Sequence, residues 1–320
     1  MCLMGRLKKK LKAILGGGKR EDLVFSGIDP VRGGEQSSPV KALAADFRGR
    51  FREIISDPLN VLIERHPLAG CISDGMVVLH NGMRVPAFGK FAYYGDFSDI
   101  LVINRGVHEP LEEYVFQEVL RQLPSVPVML ELGAYWGHYS MWCQSQRPDA
   151  KNILVEPDAT NLEAARRNFS YNKLKAEFIR DFVGRGKFNM SHFCSERAIG
   201  SLDILHSDIQ GYEAEMLQDA TPMLAARKIG HVFVSTHSNE LHDQCEALLR
   251  GAGYRIEVSS NFETETTSGD GFIYAANPEH STIFEGIEIL GRERLATTHS
   301  MGLIAYLGAV GERIGRNQKR

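Results

Sequence analysis

Val128-Met129-Leu130-Glu131-Leu132-Gly133-Ala134-Tyr135-Trp136-Gly137 is an apolar run of strand length that ends in an acid and a glycine-spaced turn. A run that stops at Gly-x-x-x-Gly and passes into a helical pattern reads as a parallel strand handing over to its crossover helix. Upstream, Glu109-Pro110 opens a helix with proline at its first position, and Leu111, Val115, Val119 and Leu123 make its apolar face. Downstream come a helix from about Gly137, a strand from Asn152 to Val155, and a helix after Pro157-Asp158 that buries Leu162, Ala165 and Phe169 under the cap Asp158. Ala176 to Arg180, Leu202 to Leu205 and His231 to Ser235 read as further strands. Ser238 or Asn239 then caps a helix with Leu241, Cys245, Leu248 and Leu249 inward and Gly251 or Gly253 at its end. Tyr254 to Ser259 and Gly271 to Ala275 complete the pattern as a hairpin. Strands alternating with helices predict an α/β fold, a mostly parallel sheet with helices on both faces.

Outside this block the chain changes character. The first twenty residues carry Arg6, Lys8, Lys9, Lys10, Lys12, Lys19 and Arg20 and no acid, which leaves −10 over the remainder of a chain whose net charge is −3. That asymmetry argues against a nucleic-acid surface spread over the protein; a basic arm that touches anionic lipid, or a solvated tail, remains. Residues 1–39 read as tail and linker, with Gly16-Gly17-Gly18 and a Gly, Ser and Pro-rich stretch from Gly27 to Pro39. Residues 40–105 read as a small extension: a helix with Val40, Leu43, Phe47, Phe51 and Ile54 on one face, a short helix from Pro58 to Arg65, and a hairpin around Asn81-Gly82. The main domain spans 106–280, and 281–320 forms a C-terminal extension with an apolar helix from Met301 to Val310. The cysteines Cys2, Cys71, Cys143, Cys194 and Cys245 form no C-x-x-C pair, which points to a reducing, cytoplasmic setting. Neither a signal peptide nor a membrane span is expected, so any membrane contact is peripheral, at the inner face through the basic arm.

The candidate site collects at strand ends. Gly133 and Gly137 let a ligand approach the backbone around Ala134. A dinucleotide site wants a second glycine where this chain has Tyr135, and Glu131 would repel a pyrophosphate, so a cationic ligand without phosphate fits better. Glu156, before Pro157, ends the next strand, where an acid can accept both hydroxyls of a ribose; helix capping, its alternative role, suits Asp158 better. Asp181 and Phe182 follow the third strand, where the acid could accept an adenine amino group and the ring could pack on the base, although Asp181 reads equally as a turn residue. Asp208, in His206-Ser207-Asp208-Ile209-Gln210-Gly211-Tyr212-Glu213, shares the crevice at the carboxyl ends of the strands, and His237 ends the following strand. A lone histidine is as often a hydrogen-bonded surface residue as a base. No cluster of hard ligands stands out, so no metal is expected.

The order of these motifs resembles the FkbM family of methyltransferases over roughly residues 105 to 277. Arg105-Gly106-Val107-His108-Glu109-Pro110 is similar to the family's opening segment, Glu131-Leu132-Gly133-Ala134-Tyr135-Trp136-Gly137 to its glycine motif, and Glu156-Pro157 to its ribose acid. The stretch from His206 to Glu213 is similar to its strand-to-helix motif, and Thr236-His237 to the histidine after the next strand. Two departures are visible: the family often has Asp-x-Gly-Ala-Asn where this chain has Glu131 and Tyr135, and often Glu in place of Gln210. The resemblance implies a Rossmann-like class I methyltransferase fold with a seven-stranded sheet. It also implies S-adenosylmethionine as cofactor and a sugar or natural-product hydroxyl as acceptor, that is, a small molecule or a glycan in polysaccharide biosynthesis. Methyl transfer to a hydroxyl needs a base, and an imidazole titrating near ~6.5 is a better one at working pH than an aspartate near ~3.9. His237 is therefore the expected base, with Asp208 positioning the hydroxyl or the ring. A binding protein without turnover, at a membrane or a glycan-assembly complex, and a nicotinamide-dependent oxidoreductase are the competing readings. Oligomeric state is not legible.

Overall fold

The computed structural model describes residues 47–93, 98–184 and 186–317. Val40, Leu43 and the basic arm lie outside them.

The central sheet forms from the strands that the sequence marks. β4 (Val128–Leu132), β5 (Lys151–Val155), β6 (Glu177–Ile179), β7 (Leu202–Ser207) and β8 (Ile229–Thr236) are parallel, and β9 (Arg255–Ser260) and β10 (Gly271–Ala276) return as a hairpin. The seven strands run β6-β5-β4-β7-β8-β10-β9, with β10 antiparallel to both neighbours. This is the seven-stranded, mostly parallel Rossmann-like arrangement that the resemblance implies. Leu130 of β4 faces Ile153 on one side and Leu205 on the other, so the strand order reverses between β4 and β7. At such a reversal the connections leave in opposite directions and open a crevice at the carboxyl ends of the strands.

Alternate residues of the strands feed opposite faces. Met129, Ile204, Phe233 and Tyr274 pack on α3 (Pro110–Leu120), α4 (His138–Gln146) and α11 (Ser300–Asn317). Leu130, Leu205, Val232 and Ile273 pack on α6 (Met190–Glu196), α7 (Glu213–Asp219), α8 (Thr221–Ala225) and α9 (Asn239–Gly251). Asp158 caps α5 (Ala159–Tyr171) by accepting from Thr160 N and Asn161 N, and Ser238 caps α9 by accepting from Leu241 N. Both caps match the expectation.

The N-terminal part differs in detail. Its helix α1 is described over Phe47–Ser56, and the expected helix from Pro58 to Arg65 is only a 3-10 turn, Pro58–Val61. There Asn60 Nδ2 donates to the carbonyls of Ile54 and Asp57, a local alternative to helix propagation. The hairpin at Asn81-Gly82 joins β2 (Met76–Val78) to β3 (Arg84–Pro86), and β1 (Ile72–Ser73) adds a strand through Asp74-Gly75, both at positive φ. Phe51, Ile54, Val77, Leu79 and Val85 share one apolar cluster with Trp136, Leu154 and Phe169, so this part packs directly behind the glycine loop. Short helices α2 (Asp99–Ile103) and α10 (Arg292–Thr297), like α6 and α8, were not expected, and the C-terminal helix is longer than its apolar run. The helix α3 is buried all round, Glu112, Glu113 and Glu118 included, rather than amphipathic. Two of these acids face histidines, His206 Nε2 lying 2.6 Å from Glu112 Oε1 and His80 Nε2 2.7 Å from Glu113 Oε2, while Glu118 pairs with Arg121.

Candidate active site

A cleft of about 420 Å³ opens at the carboxyl ends of β4 and β7. That is within the range of small-molecule pockets. Glu131, Gly133, Ala134, Tyr135 and Asp208 all line it, whereas Gly137, Glu156, Pro157, Asp181, Phe182 and His237 do not.

The glycine loop is closed on itself. Gly133 N and Ala134 N both donate to the Val155 carbonyl (2.9 and 3.1 Å), and Tyr135 N donates to Glu156 Oε2 (3.0 Å). Glu131, 3% exposed, receives Ser140 N at 3.1 Å and so occupies the start of α4. A carboxylate there complements the positive end of the helix. The glycines themselves serve packing: a Cβ on Gly133 would sit 1.7 Å from the Asp208 carbonyl oxygen, and one on Gly137 would meet Leu154 and Phe169 at 3.0 Å. Packing alone therefore requires a glycine at 133, which also lines the cleft, while Gly137 does not line it.

Glu156 stands behind the loop, its Oε1 accepting from Asp158 N (2.9 Å) and Asn161 Nδ2 (3.3 Å). Pro157 is exposed, its carbonyl accepting from Arg180 Nε at 3.2 Å. Asp181 Oδ1 accepts from Phe182 N at 2.8 Å, and the Phe182 ring meets Tyr212 edge-on at 5.2 Å.

His237, the expected base, is held among three carboxylates, Asp208 included. Its Nε2 lies 3.2 Å from Asp208 Oδ1 and 3.6 Å from Asp270 Oδ1, and its Nδ1 lies 3.1 Å from Glu213 Oε1. Burial works against charge on the ring, but hydrogen bonds that the ring donates to Asp208 and Glu213 and the charge of Asp270 outweigh it and push its pKa up to about 10. The three acids thus favour the protonated ring, a form that holds no lone pair for a substrate proton. Gln210 spans the group, its amide 2.8 Å from His237 Nε2 and 3.1 Å from Asp208 Oδ1.

Asp270 is the residue that the sequence reading missed. It lines the cleft beside Asp208, and burial first, then the Asp208 charge, raise its pKa to about 6. Register explains its place: Gly271 pairs with Thr236, so the residues just outside the pair, Asp270 and His237, meet. The signal was Gly269-Asp270-Gly271, an acid between glycines at a strand start. The N-terminal part holds this loop, because Thr267 Oγ1 donates to Asp57 Oδ2 (2.6 Å) and Arg50 Nη2 to the Ser268 carbonyl (3.0 Å). Glu109, also on the cleft, accepts from Tyr139 Oη at 2.8 Å, and burial raises its pKa to about 8.

Among the described residues two groups have metal-ligand spacing, which the sequence did not lead one to expect: Asp208, Glu213 and His237, and His80, Glu113 and His138. In the first, both Glu213 oxygens accept from Gly211 N (3.2 and 3.1 Å), and Oε1 also accepts from Ile209 N (3.1 Å).

No known family profile matches the chain, and no curated protein matches it. Among solved structures the chain is similar to precorrin-6y C5,15-methyltransferase from Geobacter metallireducens GS-15, at 16% identity over 51% of this chain and 87% of that one, with a TM-score of 0.38. It is similar to TrmK of M. capricolum in complex with S-adenosyl-homocysteine, at 14% identity over 64% and 95%, with a TM-score of 0.36. A third is a SAM dependent methyltransferase from Aquifex aeolicus, at 13% identity over 51% and 89%, with a TM-score of 0.33. At this distance the likenesses add nothing to what the strand order and the cleft carry. No described helix is long and apolar enough to cross a membrane.

Proposed function

We propose that this chain is a methyltransferase that uses S-adenosylmethionine and methylates a hydroxyl, on a sugar of a polysaccharide or on a natural product. The observation that carries the reading is the occupied start of α4. Where a dinucleotide would rest its pyrophosphate on free N–H groups, the Glu131 carboxylate already receives Ser140 N, and the loop N–H groups point at Val155 and Glu156. The cleft wall then presents Glu131, Asp208 and Asp270. Such a wall suits a ligand with a sulfonium and an ammonium and disfavours a nicotinamide dinucleotide. S-adenosylmethionine supplies an already activated methyl group. The protein has to hold the acceptor in line and remove its proton as the new bond forms. Asp270 takes that proton, and the His237 cation, clamped by Asp208 and Glu213, keeps Asp270 ionised. The acceptor class comes from the motif resemblance to the FkbM family. Incubation with methyl-labelled S-adenosylmethionine and glycan extracts should yield a labelled sugar; absence of transfer together with tight nicotinamide binding would favour the oxidoreductase.

Glu156 stands in this proposal as a ribose acid in a modified form, since it lies behind the loop and not on the cleft itself. Three N–H groups bond to its carboxylate, and a carboxylate accepts about four hydrogen bonds, so one position remains for a ribose hydroxyl. Glu156→Ala is expected to weaken cofactor binding by about 10–100-fold, the equivalent of roughly 1.5–3 kcal/mol for a charged hydrogen bond. Calorimetry showing unchanged affinity would remove the ribose assignment.

A further inference from the structure

We infer that His80, Glu113 and His138 form a metal site, one that takes a first-row transition ion and most suitably Zn(II). The three side chains come from separate elements: His80 from the turn after β2, Glu113 from the first turns of α3, and His138 from the start of α4. Each offers one ligand atom, and these atoms lie within 4.8 Å of one another. All three residues are buried, at 1%, 0% and 2% exposure.

The independent sign of a ligand is what these atoms lack. Both ring nitrogens of His138, both of His80 and the Oε2 of Glu113 are buried with no hydrogen-bond partner. His80 Nε2 and Glu113 Oε2 approach each other to 2.7 Å as an ion pair, so it is His138 whose ring nitrogens are left with no partner at all. Buried polar groups are almost always satisfied, so the orphaned His138 ring beside the His80–Glu113 pair calls for a partner that all three can share. The other carboxylate oxygen of Glu113 is engaged: it accepts from His108 N (2.8 Å) and Glu109 N (3.0 Å), with His108 Nδ1 at 2.7 Å. That arrangement fixes the carboxyl plane and leaves Oε2 turned to the two imidazoles, as partners of a ligating carboxylate do.

Two imidazoles and one carboxylate are a donor set for borderline ions, with three protein ligands and a fourth position for water in a Zn(II) tetrahedron. Ligands about 2.0–2.1 Å from zinc stand about 3.3 Å apart, above the 2.7 Å contact of His80 with Glu113 and inside the 4.8 Å that encloses all three atoms. The surroundings are aromatic: the His80 ring meets Trp142 at 4.4 Å and the His138 ring stacks on Trp136 at 5.2 Å. A bound ion ties the N-terminal part to α3 and to the helix that follows the glycine loop, and so fixes one wall of the cleft. The site does not depend on the identity of the cofactor or the acceptor.

The test uses the full chain, stripped with a chelator and then titrated with Zn(II) or Co(II) alone. One ion per chain is expected, with the visible absorption bands of tetrahedral Co(II), and chelation should lower the melting temperature. His138→Phe keeps an aromatic ring and removes both nitrogens; it should weaken binding by at least about 100-fold, the upper end for loss of a supporting residue and a lower bound for a ligand, whereas His237→Ala should bind as the unmodified chain does. Absence of stoichiometric metal and of Co(II) bands in the folded unmodified chain overturns the inference without any variant. So does unchanged binding in His138→Phe, or loss of binding in His237→Ala alone, which would move the ion to the Asp208 group.

Discussion

Asp270→Asn is expected to lower turnover of a hydroxyl acceptor by about 100-fold or more, the scale of general-base catalysis, with cofactor affinity nearly unchanged. The expectation rests on the pKa values of two neighbours. Asp270 is raised to about 6 and His237 to about 10, so at neutral pH the first is an ionised base and the second a cation. Below about pH 6 the Asp270 carboxyl is neutral and cannot take a proton, so kcat/KM should fall as pH drops through that value. His237 lowers the pKa of Asp270 through its charge. His237→Gln removes that charge and should therefore move the acid limb to higher pH, besides loosening the carboxylates around the ring. A base at His237 would instead give activity that keeps rising toward about pH 10, and His237→Gln would abolish the limb. The pH profiles of the unmodified chain and both variants separate the two assignments. If Asp270→Asn keeps its turnover and its acid limb, Asp270 is not the base.

The difference between the expected and observed site follows from which residues a strand pattern can reach. The interior strand β4 spans the residues that the sequence marked, Val128–Leu132, because a strand buried on both faces reads as one apolar run bounded by Pro127 and Gly133. Glu131 and Asp208 reach the cleft for the same reason: they sit at or just past the ends of the two strands where the order reverses. Glu156 ends the neighbouring strand, but the loop N–H groups claim its oxygens, a closure that spacing does not reveal. Asp270 becomes visible only once β10 is known to insert between β8 and β9, since Tyr254 to Ser259 read as the partner of Gly271 to Ala275 in isolation. Arg50 lies on the helix that the sequence marks and His80 just before the Asn81-Gly82 turn, but what each reaches is set by tertiary packing: Arg50 Nη2 donates to the Ser268 carbonyl, and the His80 ring meets Trp142.

Gly133→Ala is expected to be the most destabilising single substitution in the glycine loop. Gly133 has φ +72, a conformation that costs a residue with a Cβ about 1–2 kcal/mol. The added Cβ would lie 1.7 Å from the Asp208 carbonyl oxygen and 2.7 Å from its carbon. Those are backbone atoms, and Asp208 N is itself bonded to the Leu132 carbonyl at 3.0 Å, so relief requires the ends of β4 and β7 to part. Overpacking in a rigid core adds about 1–3 kcal/mol or more. Together these give about 3 kcal/mol or more, several degrees in Tm for a chain of this size. Gly137 provides the internal comparison. Its φ is +77, but a Cβ there would press on the Leu154 and Phe169 side chains at 3.0 Å, which can yield, so Gly137→Ala should cost roughly half as much. The two variants should also differ in function at temperatures where both are folded. Parting β4 from β7 displaces Asp208, the clamp on His237, so Gly133→Ala should lose turnover beyond its loss of folded protein, and Gly137→Ala should not. Urea unfolding measures the first difference and turnover per folded molecule the second; equal unfolding midpoints for Gly133→Ala and the unmodified chain would mean that the two strand ends are not in contact as described.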